Sequence, residues 1–374
     1  MDEYFYILTA IDVMVLLFMC MMVNASENLR DRQKRGFLVT FTLVIVISVL
    51  EVISVVVEEK PVSWRWVTIL SNYLGFLLTP LTPLCFVHIL DAQEHQKKIR
   101  TAAGVIWFGY AVFITASLPF GTIFRVDPDN RYFRGDFFQI YVTFYFAGIV
   151  YLALATMLSS AHHQNRSRIL VFPLMSFLLL GVIVQLAFPQ IRTTWLCMTM
   201  MSVVYYIYCS EMWNQLDGLT GLLNQASYLN RTAAHRRGDE LLIVFDVDRF
   251  KQVNDTCGHL FGDQCLQEIA DCIKKAYSGS GSCYRIGGDE FCVILQDSSR
   301  ERACAEELCR CLEKKRTANP KLPTVSYGSA AIAAGENILT TKERADQNMY
   351  QYKKAHRSQE TERIEKQEKP DPSV

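Results

Sequence analysis

Arg285-Ile286-Gly287-Gly288-Asp289-Glu290-Phe291 sets two adjacent acids on a two-glycine turn between apolar, strand-like flanks. Gly-Gly is a strong hairpin signal, because both central residues can take positive φ and the missing side chains let a ligand approach the backbone closely. The stretch predicts an acid-bearing hairpin whose arms are Tyr284 to Ile286 and Phe291 to Leu295. Taken alone, it fits an exposed turn with solvated carboxylates as well as it fits a site.

Upstream, Leu241-Leu242-Ile243-Val244-Phe245 is a continuous apolar run that ends at Asp246-Val247-Asp248. A run of this kind reads as a buried strand delivering carboxylates at its end. It is followed by Arg249 to Asp255, then Gly258, His259, Gly262 and Asp263, leading into the helical spacing of Gln264 to Ala270. Arg300 to Lys315 reads as a charged helix, Thr324 to Ala333 as a strand of small residues, and Lys342 to Arg357 as a closing amphipathic helix. Strands and helices so arranged predict an α+β sandwich, a mostly antiparallel sheet flanked by helices. If the strands bearing Asp246 and Asp289 are neighbours, two carboxylates share one sheet edge with Glu290 beside them. Hard oxygen ligands in that arrangement suit Mg²⁺ or Mn²⁺ and a nucleotide. Lys353 and Arg357, four apart on one helix face, read either as a triphosphate clamp or as a solvated basic face.

The first half of the chain is organised differently. Half of the 374 residues are hydrophobic, and the excess is concentrated before about residue 209. Apolar runs near 4–23, 36–58, 66–90, 101–120, 137–158, 168–188 and 192–209 approach the roughly 20 residues that a helix needs to cross a bilayer. They predict an all-α transmembrane bundle of about seven spans. Met1-Asp2-Glu3 lacks a basic leader, so the first run reads as a retained helix. Placing the C-terminal half in the cytoplasm puts Arg30, Arg32, Lys34, Arg35, Lys97, Lys98, Arg100, Arg166 and Arg168 inside, as the positive-inside bias favours, and leaves the N-terminus outside. The expected location is the inner, cytoplasmic membrane, multi-pass. Asp12 and Glu51 sit within apolar runs, where acids are functional candidates by default; the alternative is hydrogen bonding between helices involving Thr9 and Ser48. Pro80, Pro83 and Pro173 are candidate kinks, and the aromatic, charged loop Phe124 to Phe138 has no assigned role.

The formal charge of +0 and the lack of a basic stripe argue against a nucleic-acid partner. The twelve cysteines show no metal-ligand spacing and fit reduced, buried thiols. Residues 359–374, Glu/Lys-rich with Pro370 and Pro372, read as a solvated tail that need not fold.

Five separated blocks of the second half resemble the GGDEF family of diguanylate cyclases. Asp217-Gly218-Leu219-Thr220-Gly221-Leu222-Leu223-Asn224 looks like the family's opening block. The run Asp246 to Asp255, with Gly258-His259 and Gly262-Asp263, is similar to its second. The Gly-Gly-Asp-Glu-Phe hairpin, Ser326-Tyr327-Gly328, and Ala345-Asp346 with Tyr350, Lys353 and Arg357 complete the series. The resemblance implies a nucleotidyl-cyclase or polymerase-palm-like fold and a nucleotidyltransferase that condenses two GTP into cyclic di-GMP with release of pyrophosphate. The implied enzyme is a homodimer with one GTP in each half-site and two Mg²⁺ or Mn²⁺ per active pair.

Carried over by position, Asp246, Asp289 and Glu290 are the implied catalytic residues. Asp246, Asp289 and Glu290 through side chains, and Val247 through its carbonyl, are the implied metal ligands. Phe250, Lys251, Gly287, Gly288, Asn254, Asp263, Lys353 and Arg357 are the implied substrate-binding residues. Asp263 is suited to accept from guanine N1–H and N2–H₂, a donor pair that adenine lacks, with Asn254 covering another edge; a base that left the acid unpaired would lose roughly 1 to 3 kcal/mol or more. Backbone amides at Arg249 to Lys251, opening a short helix, are suited to phosphates.

Three departures stand out. Asn224-Gln225-Ala226 replaces an expected Asn-Arg-Arg, Ser278 to Gly281 occupies the place of the R-x-x-D product-inhibition site, and His356-Arg357-Ser358 replaces Gly-Arg-Asn. His259 reads as structural. The expected organisation is a sensor or anchor at 1–209, a short helical linker at 210–216, the cyclase at 217–358 and the tail. The membrane part is expected to respond to a small-molecule or membrane stimulus. A catalytically silent GTP-binding module acting through protein interaction, and a transporter or receptor with an incidental soluble half, are the rival readings.

Overall fold

The computed structural model describes residues 2–27, 29–58, 60–90, 94–163, 171–188, 193–233 and 240–368. It divides into Met1–Met212 and Trp213–Val374.

The first unit is built from helices α1 (Asp2–Ala25), α2 (Asp31–Val57), α3 (Arg65–Leu78), α4 (Leu81–Ile89), α5 (Glu94–Ser117), α6 (Phe138–His162), α7 (Val171–Ala187) and α8 (Thr194–Asn214), the last ending just past the division. The described residues of the expected apolar runs fall mainly on helix. Among the described residues, Tyr4–Ala25, Asp31–Val57, Lys97–Phe120 and Phe138–His162 are long and apolar enough to cross a membrane; Val62–Leu78 with Leu81–Ile89, bent by 40°, makes a fifth if the pair is one span. The bend falls at Thr79-Pro80, where the proline ring removes a helical donor. Arg166 and Arg168, which served the orientation argument, lie outside the described residues.

Two features depart from an all-helical reading. Strands β1 (Phe124–Val126) and β2 (Tyr132–Arg134) pair antiparallel in the loop before α6. Their turn is made by Asn130 in the left-handed region at φ 63°, a conformation asparagine tolerates. Asn130 Nδ2 donates to the Val57 carbonyl at 2.7 Å, and the Arg65 guanidinium donates to the carbonyls of Val126 and Asp127 at 2.7 and 2.9 Å. These bonds satisfy the ends of neighbouring helices as well as the hairpin. The hydroxyls of Thr9 and Ser48 bond the carbonyls of Phe5 and Val44, four residues back in their own helices, instead of bridging helices.

The second unit holds α9 (Gln225–Ala233), β3 (Leu241–Val247), α10 (Phe250–Cys257), α11 (His259–Tyr277), β4 (Gly281–Arg285), β5 (Glu290–Leu295), α12 (Glu301–Ala318), β6 (Val325–Ala331) and α13 (Ile338–Glu368). The strands form one sheet in the order β4-β5-β3-β6, antiparallel at every pairing. Strand β3 is apolar from Leu241 to Phe245 because both faces are covered there. Leu241, Ile243, Phe245 and Val247 join a core with Leu266 and Ile269 of α11 and Leu308 and Leu312 of α12. Leu242 and Val244 face the other way and join Tyr284, Cys292, Ile294 and Ala345 of α13. Burying a side chain such as Phe245 contributes about 1.5–3 kcal/mol, so this strand anchors both layers.

Helix α13 lies at backbone distance from the sheet. A Cβ built on Gly328 would stand 2.3 Å from both the Ala345 carbonyl oxygen and the Met349 amide nitrogen. The same helix runs on to Glu368, through part of the Glu/Lys-rich stretch read as a solvated tail that need not fold. Glu, Gln, Lys and Arg, which fill this stretch, are strong helix formers.

Candidate active site at the end of the central strands

Asp246 and Glu290 are opposite one another in the β3–β5 register, and paired residues project to the same face. That face is the one α13 covers, since Asp246 follows the alternation of Leu242 and Val244. One residue on, the Val247 amide donates to the Asp289 carbonyl at 3.2 Å. A strand residue's N–H and C=O point to the same edge, so the Val247 carbonyl also faces the hairpin end. The structure thus brings Asp246, Val247, Asp289 and Glu290 to one end of the sheet.

The hairpin is made differently from the expected turn. Neither Gly287 nor Gly288 is among the glycines of positive φ, which are Gly121, Gly221, Gly258 and Gly335. Residues 286–289 form a longer link in which the amides of Ile286 and Gly287 both donate to the Glu290 carbonyl, at 3.0 and 3.4 Å. The Arg285 guanidinium closes it, donating to the Gly288 carbonyl at 2.7 Å and to Asp217 Oδ1 at 3.0 Å. The two glycines do separate jobs. A Cβ on Gly287 would press on Glu290 Oε2 at 3.2 Å, whereas one on Gly288 would meet nothing within 4 Å, leaving its backbone open to approach.

Lys353 is on α13 with its Nζ 2.5 Å from Asp246 Oδ1. Three turns earlier on the same helix, Lys342 Nζ stands 4.0 Å from Glu290 Oε2 and 3.8 Å from Asp346 Oδ2. Burial pushes the Asp346 carboxyl above its ordinary range; Lys342 pulls it back and the Asp246 charge adds to the rise. A line of alternating charge therefore connects the sheet end to the helix. Arg357 falls where side chains lie outside the described residues.

Across the strand end, Arg249 takes the left-handed region at φ 53° and turns the chain into α10. A non-glycine residue there is strained by roughly 1–2 kcal/mol, and the turn leaves the first amides of α10 without helical acceptors. Phe250 packs against the core formed by β3 and α11, so its backbone and not its ring is available to a ligand. Asn254 is set against Gly262, where a Cβ would come within 1.9 Å of Asn254 Oδ1. Asp263 follows directly in the chain. Among the described residues, neither the Lys251 nor the Asp263 side chain makes a hydrogen bond or ion pair. His259 is exposed at the first position of α11, which gives it no packing role.

Metal fit follows from donor chemistry. Among the described residues there is no group of three or more His, Cys, Asp or Glu suited to hold a metal. Three carboxylates and a backbone carbonyl near one strand end are oxygen donors of the kind that Mg²⁺ accepts when water and phosphate supply the rest. The Lys353 ammonium already places a positive charge against Asp246, so this carboxylate is built to face a cation.

Residues 214–359 match the family model described as "Diguanylate cyclase, GGDEF domain". This segment is a GGDEF domain. Over 157 residues the chain is 37% identical to diguanylate cyclase DgcP of Pseudomonas aeruginosa, covering 38% of the chain and 23% of that relative. Over 158 residues it is 33% identical to diguanylate cyclase DgcS of Shewanella oneidensis, covering 40% and 52% respectively. The chain therefore spans between about a quarter and a half of the length of these curated relatives. The GGDEF domain of DgcB from Caulobacter crescentus, solved in complex with c-di-GMP, is 30% identical, with 38% of this chain and 91% of that one covered and a TM-score of 0.34.

Within the GGDEF domain, sequence reasoning passed over four side chains. Lys342 and Asp346 carried a signal, since they are four apart on the face that also bears Lys353. Arg285 and Asp217 gave none, because a separation of 68 positions hides the contact. Asp248 was grouped with Asp246 at the strand end, yet its two oxygens accept from the hydroxyls of Thr324 and Ser326 at 2.7 Å each. It ties β3 to β6 and is not available to a metal.

Proposed function

We propose that this protein is a membrane-anchored diguanylate cyclase that condenses two GTP into cyclic di-GMP and two pyrophosphate. The observation that carries the reading is the Asp246–Glu290 rung with Asp289 and the Val247 carbonyl beside it, inside a segment that matches the GGDEF family. Asp246, Asp289, Glu290 and the Val247 carbonyl hold Mg²⁺ or Mn²⁺, two per pair of half-sites. When bound, the metal supplies Lewis-acid activation of the attacking 3′-hydroxyl and neutralises charge at the α-phosphate.

The chain's own groups do the rest. Asp263 accepts from the guanine N1–H and N2–H₂ edge and Asn254 takes another edge of the base. The amides of Phe250 and Lys251 receive phosphate oxygens at the start of α10, and Gly287 and Gly288 let the nucleotide approach the hairpin backbone. Lys353 exchanges Asp246 for a phosphate as the nucleotide binds, with Arg357 one turn further on the same helix. Glu290 assists deprotonation of the 3′-hydroxyl. One domain presents one such nucleotide, so the product requires a homodimer in which two half-sites face each other. The apolar helices anchor the protein in the cytoplasmic membrane with the catalytic domain inside and the N-terminus outside, by the positive-inside bias, and pass a stimulus to the dimer.

Incubating the detergent-solubilised protein with GTP and Mg²⁺, beside Asp289→Ala, tests the reading. Cyclic di-GMP is expected from the first and not from the second. GTP binding without product, across both metals and a range of protein concentrations, would establish a silent GTP-binding module instead.

A further inference from the structure

The Glu290 carboxylate is bounded on two sides. A Cβ on Gly287 would lie 3.2 Å from Glu290 Oε2, so the bare backbone of the hairpin lies against that oxygen. The Lys342 ammonium stands 4.0 Å from the same oxygen, too far for a hydrogen bond and close enough to act through charge. Lys342 is itself drawn to Asp346 Oδ2, 3.8 Å away and one turn along α13. The ammonium is therefore shared between an acid of its own helix and an acid of β5.

Packing of α13 sets where that ammonium can go. Ala345, three positions on and hence on the same helix face, is buried in the layer that holds Cys292 and Ile294 of β5. Arg344 donates to the Ala331 carbonyl and Asn348 to the Ser329 carbonyl, each at 2.8 Å, which fixes the register of the helix on β6. The Lys342 side chain is 28% exposed against 44% for Glu290, so the lysine is the more constrained member of the pair. Asp246 and Glu290, opposite one another across β3 and β5, are thus each met by a lysine of one helix. The two lysines differ in what else they serve. Lys353 has a phosphate to move to, whereas the polar groups that Lys342 meets are the acids Glu290 and Asp346.

We propose that Lys342 is a positioning residue for Glu290, orienting its carboxylate through Oε2 and opposing a divalent cation at the strand end until a nucleotide arrives. The ammonium stays beside Glu290 throughout the reaction, and Asp346 keeps it from closing fully on the acid. A bare divalent cation meets its repulsion, while a cation that arrives with a triphosphate brings negative charge that offsets it. Metal loading is thereby tied to nucleotide binding. The inference rests on the reading of this strand end as a metal and nucleotide site.

The test titrates the full-length, detergent-solubilised protein with Mn²⁺, followed by electron paramagnetic resonance, alone and with the α,β-methylene analogue of GTP, which cannot be condensed. Without nucleotide, Lys342→Met is expected to bind Mn²⁺ about 3- to 10-fold more tightly than the parent, the scale of one partly screened charge. With the analogue, the difference should shrink to about twofold or less. In turnover, Lys342→Met should lower kcat about tenfold with KM for GTP little changed, and Lys342→Arg should restore both kcat and the parental Mn²⁺ affinity. Lys342→Gln serves for the same measurements should the methionine variant misfold. Equal Mn²⁺ affinity in parent and Lys342→Met without nucleotide, or a fall in kcat that Lys342→Arg does not restore, would overturn the inference and leave the cyclase reading standing. A parent that binds Mn²⁺ neither alone nor with the analogue would overturn both.

Discussion

Lys353 on the closing helix places its ammonium 2.5 Å from the Asp246 carboxylate at the end of the central strand. The pair is part-exposed, so solvent screens it and its worth as a stability contact is small. Its consequence lies in competition, because a lysine and a divalent cation seek the same oxygen. Lys353→Ala is expected to strengthen binding of bare Mn²⁺, followed by electron paramagnetic resonance, while lowering kcat/KM for GTP by about 10- to 100-fold, the scale of a charge-assisted hydrogen bond. If metal affinity and turnover both stay where they were, the exchange of partners is wrong.

Asp217 offers a pH prediction. Burial alone raises its carboxyl, but the Thr220 hydroxyl and amide and the Arg285 guanidinium outweigh burial, and the group rests below its ordinary value. A depressed acid contributes stability that is present above the unfolded pKa and is lost as pH falls through the folded one. Asp217→Asn should therefore be less stable than the parent at pH 7, with the gap in Tm closing as the pH is lowered into the acid range. A gap that widens on acidification would contradict the assignment.

Gly262→Ala separates binding from folding. The new methyl would displace the Asn254 carboxamide, which is the far end of a flexible side chain and can swing away. The expected result is a higher KM for GTP with a near-parental melting curve. An unchanged KM would remove Asn254 from nucleotide recognition.

Asp246 and Asp248 are two apart and chemically identical, yet their substitutions should fail in different ways. Asp248→Ala orphans the hydroxyls of Thr324 and Ser326 and should lower stability by about 1–3 kcal/mol, read as a shift in the urea midpoint. Asp246→Ala should melt close to the parent and make no cyclic di-GMP. Loss of stability in the second variant, with none in the first, would reverse the roles.

Much of the GGDEF domain was legible because its signals are local. An unbroken apolar run meant a strand covered on both faces, and acids at its end meant chemistry. What stayed hidden depends on long-range contact or on backbone detail. The Gly287-Gly288 pair suggested a two-residue turn, but Arg285 braces a longer link, and the bracing residue Asp217 is 68 positions away. Lys353 carried its charge in plain sight, though only packing of α13 on β6 reveals that Asp246 receives it. The β1–β2 hairpin had a written signal in Asp127-Pro128-Asp129-Asn130, a turn-forming run that the surrounding hydrophobicity obscured.

Gly328 fixes how closely α13 lies on the sheet. Because α13 meets β6 backbone to backbone at this residue, the gap between helix and sheet is ruled by main-chain dimensions and not by the sizes of core side chains. The core can therefore be repacked over evolutionary time without changing how far Lys353 must reach. A single added methyl at position 328 would act as a shim, lifting the whole lever and taking the ammonium off its carboxylate in one movement.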